Sequence, residues 1–350
     1  MKNKFQSSLF PLLIIFITVT LFGSCNKDLC KRNEDEKVYV ANEDDGTVSI
    51  IDGETFEVLK TVDLEYKKNM YMAHNLQVAP DKRSVWVTAL PHVHGQGDDM
   101  VVVLKGKRSK DKEHIKVGWD QDLAHVVLDD ESKNAYVTAN TPGQVIKIDA
   151  KEMKEVYRFD LGSASGPHGL RYMNGKLYVA CMTSKEMVIV DVTTNALTRI
   201  PVGGIAVQTA VLPGLGSVFV SVYDLKQVVR YDISTTDTTI INLPAGAQGP
   251  IQLYPSPDNQ RVYVCDQGIV NGNPSSNKLY VISTQTNTVI ATVTVGNGAH
   301  GVTTNVEGTK IFVTNLSDNT VSVIDATSLT VIQTINVGKS PNGISYLKCD

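Results

Sequence analysis

Six of the seven histidines of this 350-residue chain occur in two settings that can do chemistry. His74, His125, His168 and His300 stand at near-equivalent places in an internal repeat, at the head of short apolar segments. His92 and His94 form a His-x-His pair in the loop Pro91-His92-Val93-His94-Gly95-Gln96-Gly97-Asp98-Asp99. Imidazole is the commonest transition-metal ligand, and His-x-His supplies two rings from one extended segment. His74, His125 and His168 come from consecutive repeats, with His92 and His94 above the first. They make a three- or four-ligand pocket for zinc or copper, with His300 across the ring beside the first repeat. Asp98 and Asp99 are further ligands or outer-shell partners. Met70, Met72 and Met182 add soft donors that favour copper. A plainer reading competes. His-Gly, as in Pro167-His168-Gly169 and Ala299-His300-Gly301, also suits a tight backbone approach in which the ring bonds a neighbouring carbonyl.

Other catalytic signatures are missing. There is no Gly-x-Ser-x-Gly, no His-Glu-x-x-His and no Cys-x-x-Cys-His. Asp52, Asp149, Asp191, Asp232 and Asp325 recur, but each precedes a turn whose amides an Asp side chain accepts. Asn42, Asn140 and Asn315 end strands in the same region, where clustered carboxylates or Asn could hold a metal. Each also suits a turn.

The elements that position these residues are strands. Seven segments carry one core: Tyr39-Val40, Trp86-Val87, Tyr136-Val137, Tyr178-Val179, Phe219-Val220, Tyr263-Val264 and Phe312-Val313. Their valines step by 47, 50, 42, 41, 44 and 49 residues. A period of about 40–50 with several strands per unit is that of β-propeller blades. The expected fold is all-β, a seven-bladed propeller of four antiparallel strands per blade. Six of the seven histidines then share one face, and His114 lies elsewhere. The chain starts a blade at its second strand, Val38, and ends with Pro341 to Tyr346, which matches a first strand. The C-terminal piece should therefore complete the N-terminal blade. That places Cys349 near Cys30, and a Cys30–Cys349 disulfide is expected, against two unpaired thiols. Cys181 and Cys265 belong to non-neighbouring blades.

The N-terminus precedes the fold. Lys2 and Lys4, then an apolar run from Leu9 to Phe22, then Gly23-Ser24-Cys25 have the order of a secretory signal. Leu21-Phe22-Gly23-Ser24-Cys25 resembles a bacterial lipobox, with Phe22 where the pattern prefers Leu. Residues 1–25 are expected to be a lipoprotein signal with Cys25 as the lipidation site, 26–36 a polar tether, and 37–350 the propeller. The net charge of −4 is no nucleic-acid footprint, and the basic run Lys105 to Lys116 is interleaved with acids. A monomer held to the cell envelope by its lipid alone is expected, in the outer membrane, on the periplasmic side or at the cell surface.

With these repeats the chain resembles the YVTN-type seven-bladed propellers of bacteria and archaea. Tyr39-Val40-Ala41-Asn42, Tyr136-Val137-Thr138-Ala139-Asn140, Phe312-Val313-Thr314-Asn315, Val-Ser-Val-Ile-Asp at 321–325 and Thr-Ile-Asn-Val-Gly at 334–338 carry the likeness. The family is similar to the haem d1 domain of cytochrome cd1 nitrite reductases and to lactonase propellers. The resemblance implies the fold strongly and the activity weakly. The leading expectation is a binding module for an envelope protein or small-molecule ligand. The alternatives are a metal- or haem-binding protein using the histidine face, and a lactonase-like hydrolase.

Overall fold

The second strand of each repeat is buried on both sides, so it needs no polar alternation and reads as a continuous apolar run. In Glu36–Asn42, Val38 and Val40 pack with Phe312 and Ile344, while Tyr39 and Ala41 pack with Tyr71 and Val87. In Ser84–Pro91, Val85 and Val87 join that second group, and Trp86 joins a third with Val126 and Val137. Successive side chains point to opposite faces of a strand, so each repeat feeds two neighbouring layers.

The computed structural model describes residues 29–30, 35–93, 97–106, 109, 111–269 and 272–349. They form seven four-stranded antiparallel sheets, a seven-bladed propeller. The inner strands are Pro341–Lys348, Tyr71–Val78, Leu123–Leu128, Pro167–Met173, Ala206–Leu212, Pro250–Pro255 and Ala299–Thr304, numbered here as blades one to seven. Each inner strand touches the next, and the seventh touches the first. Seven apolar clusters fill the seven layers between blades, and each receives one second-strand aromatic from the expected series. These rings, Trp86 the largest, are almost wholly excluded from water. Among the described residues no helix is long and apolar enough to cross a membrane.

Blade one is composite. Pro341–Lys348 pairs with Glu36–Asn42, which continues to Thr47–Asp52 and Val58–Asp63. Cys30 and Cys349 are bonded to one another, with Cα atoms 5.8 Å apart. The Cys349 amide donates to Asp35 O at 2.9 Å, and Leu29 is buried beside the bond. Cys181 and Cys265 are free and buried. The signal, Cys25 and all of the tether except Leu29, Cys30, Asp35 and Glu36 lie outside the described residues. The recurrent aspartates serve turns: Oδ1 of Asp52, Asp149, Asp191, Asp232 and Asp325 each accepts two backbone amides.

Every inner strand carries a register shift near its start. A bulge frees an amide that the ladder no longer pairs. In four blades a hydroxyl takes it: Thr88 accepts from Asn75 N, Thr138 from His125 N, Ser221 from Gln208 N and Thr314 from Gly301 N, at 2.7–3.1 Å. The same hydroxyl donates to the next blade's inner strand, at Ala124 O, His168 O, Ile251 O and Asn342 O respectively.

Removing the covalent closure tests its share of stability. The double substitution Cys30→Ser/Cys349→Ser is expected to lower the unfolding free energy by ~2–5 kcal/mol, read by urea denaturation. An unchanged midpoint and slope would mean that strand pairing alone closes the ring.

Candidate metal centre

The bulge turns two successive residues of an inner strand toward the channel mouth, as Ile251 and Gln252 show by lining one cavity together. Counted from the pairing beyond each bulge, His74, His168, His300, Asn342, Val207 and Ile251 share one position, and Ala124 holds it in blade three. His125 belongs to the next position, with Asn75, Gln208 and Gln252. Glycine holds that second place after His168, His300 and Asn342, because the neighbouring blade leaves no room for a Cβ. One on Gly169 would meet Gln208 at 2.4 Å, and one on Gly301 would meet Asn342 O at 2.3 Å. His125 thus reaches further into the channel and is fully buried, whereas His74 and His168 keep partial exposure at the mouth.

His74, His125 and His168 converge. One ligand nitrogen from each lies within 4.8 Å of the others. The ring centroids are 6.2 Å apart for His74 and His125, 5.8 Å for His74 and His168, and 5.0 Å for His125 and His168. Hydrogen bonds set what each ring offers. His74 Nδ1 donates to Glu43 Oε1 at 2.8 Å, and His168 Nδ1 donates to Val207 O at 3.0 Å. Both leave Nε2 for a metal, in the carboxylate–histidine and carbonyl–histidine patterns that orient metal ligands. His125 differs. Gln208 Oε1 accepts Thr209 N at 2.8 Å, so the Gln208 amide nitrogen faces His125 Nδ1 at 3.1 Å and the proton sits on Nε2. Ligation by His125 Nε2 requires the Gln208 amide to turn its oxygen to Nδ1. Nε2 of His74 and Nε2 of His125 are both buried and have no hydrogen-bond partner.

Burial pushes His125 well below the usual histidine range, and the neighbouring His168 adds to this. Burial likewise lowers His168 to about 4 and His300 to about 3. These rings are neutral at physiological pH, as metal ligation requires. His74 moves the other way. Burial opposes its charge, but the charge and hydrogen bond of Glu43 outweigh that and raise it. Glu43 is lowered to about 2, since its bonds to His74 and Asn342 overcome its own burial.

The other candidates separate. His300 lines the same cavity, of about 430 Å³, but stands outside the trio and pairs with Gln252 Nε2 at 3.4 Å. His92 is exposed and outside the trio, and His94 lies outside the described residues. Asp98 pairs with Lys116 at 2.9 Å. Asp99 is buried, accepts Gln121 N, and is raised to about 6 by that burial. Met182 lines the cavity, Met72 packs in a blade interface and Met70 is exposed. Nδ2 of Asn42 and of Asn315 each donates to two hydroxyls of its own hairpin. His114 lies on an outer strand against the ring of Tyr66. Sequence reasoning missed Glu43. Its signal was there: the seven equivalent positions hold Glu43, Leu90, Asn140, Met182, Tyr223, Gln267 and Leu316, with one carboxylate among them.

Stability should fall in acid for a stated reason. His168 and His300 have native values below 6.5, so between about pH 6.5 and 4 the unfolded chain binds protons that the native one refuses. Glu43 extends the loss from its ordinary 4.5 down toward 2. His74 has the opposite sign, stabilising fully below 6.5 and losing that as pH rises through its raised value. Urea unfolding of wild type should weaken from pH 7 to pH 5, and His168→Gln/His300→Gln should flatten that slope. An identical slope in the variant would contradict the burial account.

A family model described as a YNCE-like beta-propeller matches residues 25–349. No curated protein sequence matches the chain. Among solved structures, a putative 6-phosphogluconolactonase from Bacteroides fragilis superposes with a TM-score of 0.69 at 13% identity, over 91% of this chain and 100% of that one. Virginiamycin B lyase from Staphylococcus aureus gives 0.66 at 14% identity, over 90% and 97%. The dihydro-heme d1 dehydrogenase NirN, in complex with DHE, gives 0.60 at 15% identity, over 88% and 74%. At these identities the likeness is one of fold.

Proposed function

The chain belongs to the YNCE-like beta-propeller family, and from that premise we propose that it is an exported envelope protein binding one divalent transition metal at its channel mouth. The ligands are His74, His125 and His168, and the ion is zinc or copper(II). The observation that carries this reading is the convergence of three imidazoles to within 4.8 Å, with Glu43 and Val207 O already holding two of the Nδ1–H groups. Orphaned, buried Nε2 atoms are costly unless something binds them. An ion there uses His74 Nε2 and, once the Gln208 amide has turned, His125 Nε2, with His168 supplying the third nitrogen.

Three protein ligands leave a fourth position for water or a ligand. The cavity of about 430 Å³ beside the rings is where that position opens, and Met182, Ile205, Tyr223 and Ile251 give it largely apolar walls. A small molecule with an apolar body and one metal-binding group fits this description. Export and lipid anchoring at Cys25 rest on the order of charged, apolar and small residues from Lys2 to Cys25.

Untagged protein is expected to bind one equivalent of zinc or copper by elemental analysis and calorimetry, copper(II) the tighter. His74→Ala/His168→Ala should abolish stoichiometric binding. Glu43→Gln should weaken it by ~10–100-fold. Gln208→Glu, which offers His125 Nδ1–H an acceptor without an amide flip, should tighten it. A folded wild-type protein with no stoichiometric metal, or a double variant that binds as wild type, would refute the assignment.

A further inference from the structure

Below the histidines the channel narrows around Arg171, on the inner strand of blade four. A cavity of about 60 Å³ lies there, lined by Arg171, Gln77, Gln252, Tyr254, Thr303 and Ser345 among others. That holds a few waters or one small ion, since a water needs roughly 10–15 Å³ of such space. Nη1 of Arg171 donates to Leu170 O at 2.9 Å. None of the residues lining this cavity is a carboxylate. Burial pulls the arginine below its usual range, the Tyr254 hydroxyl opposes this, and the guanidinium's charge reaches His125.

Two of the polar neighbours are turned as donors. Gln77 Oε1 accepts Leu128 N at 2.8 Å, so the Gln77 NH₂ is the end left over. Ser345 Oγ accepts Val78 N at 3.1 Å and keeps its own proton to give. A guanidinium has five N–H donors and no acceptor. Enclosing that charge without a counter-charge is expensive, and buried charges are normally paired. Gln252 turns its amide nitrogen to His300 Nδ1 instead, and among the residues lining the cavity the guanidinium meets no acid. The missing member of the set is an anion.

We propose that this constriction is a binding site for one small inorganic anion, of the size of chloride or nitrate, held by Arg171, the Gln77 amide and the Ser345 hydroxyl. The site is separate from the histidine trio and does not depend on a metal above it. Its enclosure favours small monovalent ions, which shed water more readily than phosphate or sulfate.

Thermal unfolding of the full mature protein, with sodium chloride or nitrate replacing sodium gluconate at constant ionic strength, tests this. The melting temperature should rise and saturate in the wild type, as a native-state ligand requires. Arg171→Gln should shift the midpoint of that rise to ~10–100-fold higher anion concentration, the loss of a charged hydrogen-bonding partner. Phosphate should do little. A second measurement needs no variant: wild-type crystals grown in bromide should show anomalous density in contact with the guanidinium. A flat response, a response unchanged in Arg171→Gln, or bromide absent from Arg171 would each overturn the proposal in favour of a water-filled channel.

Discussion

The bulge at the head of each inner strand is the constraint from which the site follows. A buried amide without a partner costs about 1–3 kcal/mol, so a bulge in a closed ring has to be satisfied locally. Thr88, Thr138, Ser221 and Thr314 do this while donating onward to the neighbouring blade. One hydroxyl therefore fixes the strand it belongs to and the spacing to the next. Thr138 alone connects His125 N to His168 O, setting two of the three converging rings relative to each other. The chemistry at the mouth inherits its geometry from backbone groups held by side chains that never touch a ligand.

The repeat was legible because its signal is packing. Seven aromatics at near-regular spacing mark seven layers, and each layer is filled by one of them. The incomplete ends were legible for the same reason, since a blade lacking an inner strand leaves an open edge. What stayed hidden was register. His125 reads as equivalent to His74 until the pairing beyond the bulge shows it one residue further on. A shift of one residue sends a side chain to a different place, and nothing in a local pattern reports where a bulge falls. Glu43 was hidden differently. It follows a strand as any turn residue does, and its role appears only when His74, from the adjacent blade, is set 2.8 Å away. His92 shows another limit of local reading: His-x-His is a sound ligand pattern, but where its loop lies relative to the trio is a tertiary matter, and His92 is exposed.

Charge along the channel is arranged in tiers. At the mouth, Glu43 is the carboxylate among the residues lining the cavity, tied to His74 and Asn342. Beneath it stand His125, His168 and His300, kept neutral by burial, while Glu43 raises His74, and lower still is a guanidinium whose field reaches His125 and lowers it further. Opposite signs at the two ends mean that a change in protonation at one level is felt at the next.

The composite first blade also separates the closure of the ring from its mouth. Pro341 pairs with Asn42 at the mouth, and Lys348 pairs with Glu36 at the other end of the same strands, roughly 20 Å away. Cys30 and Cys349 are joined beyond that far end. Leu29 and Cys30 therefore sit on the side opposite the histidines. The covalent seam of the ring and the opening of its channel are thus kept at opposite ends of one blade, so the bond that closes the fold takes no room from the three converging imidazoles.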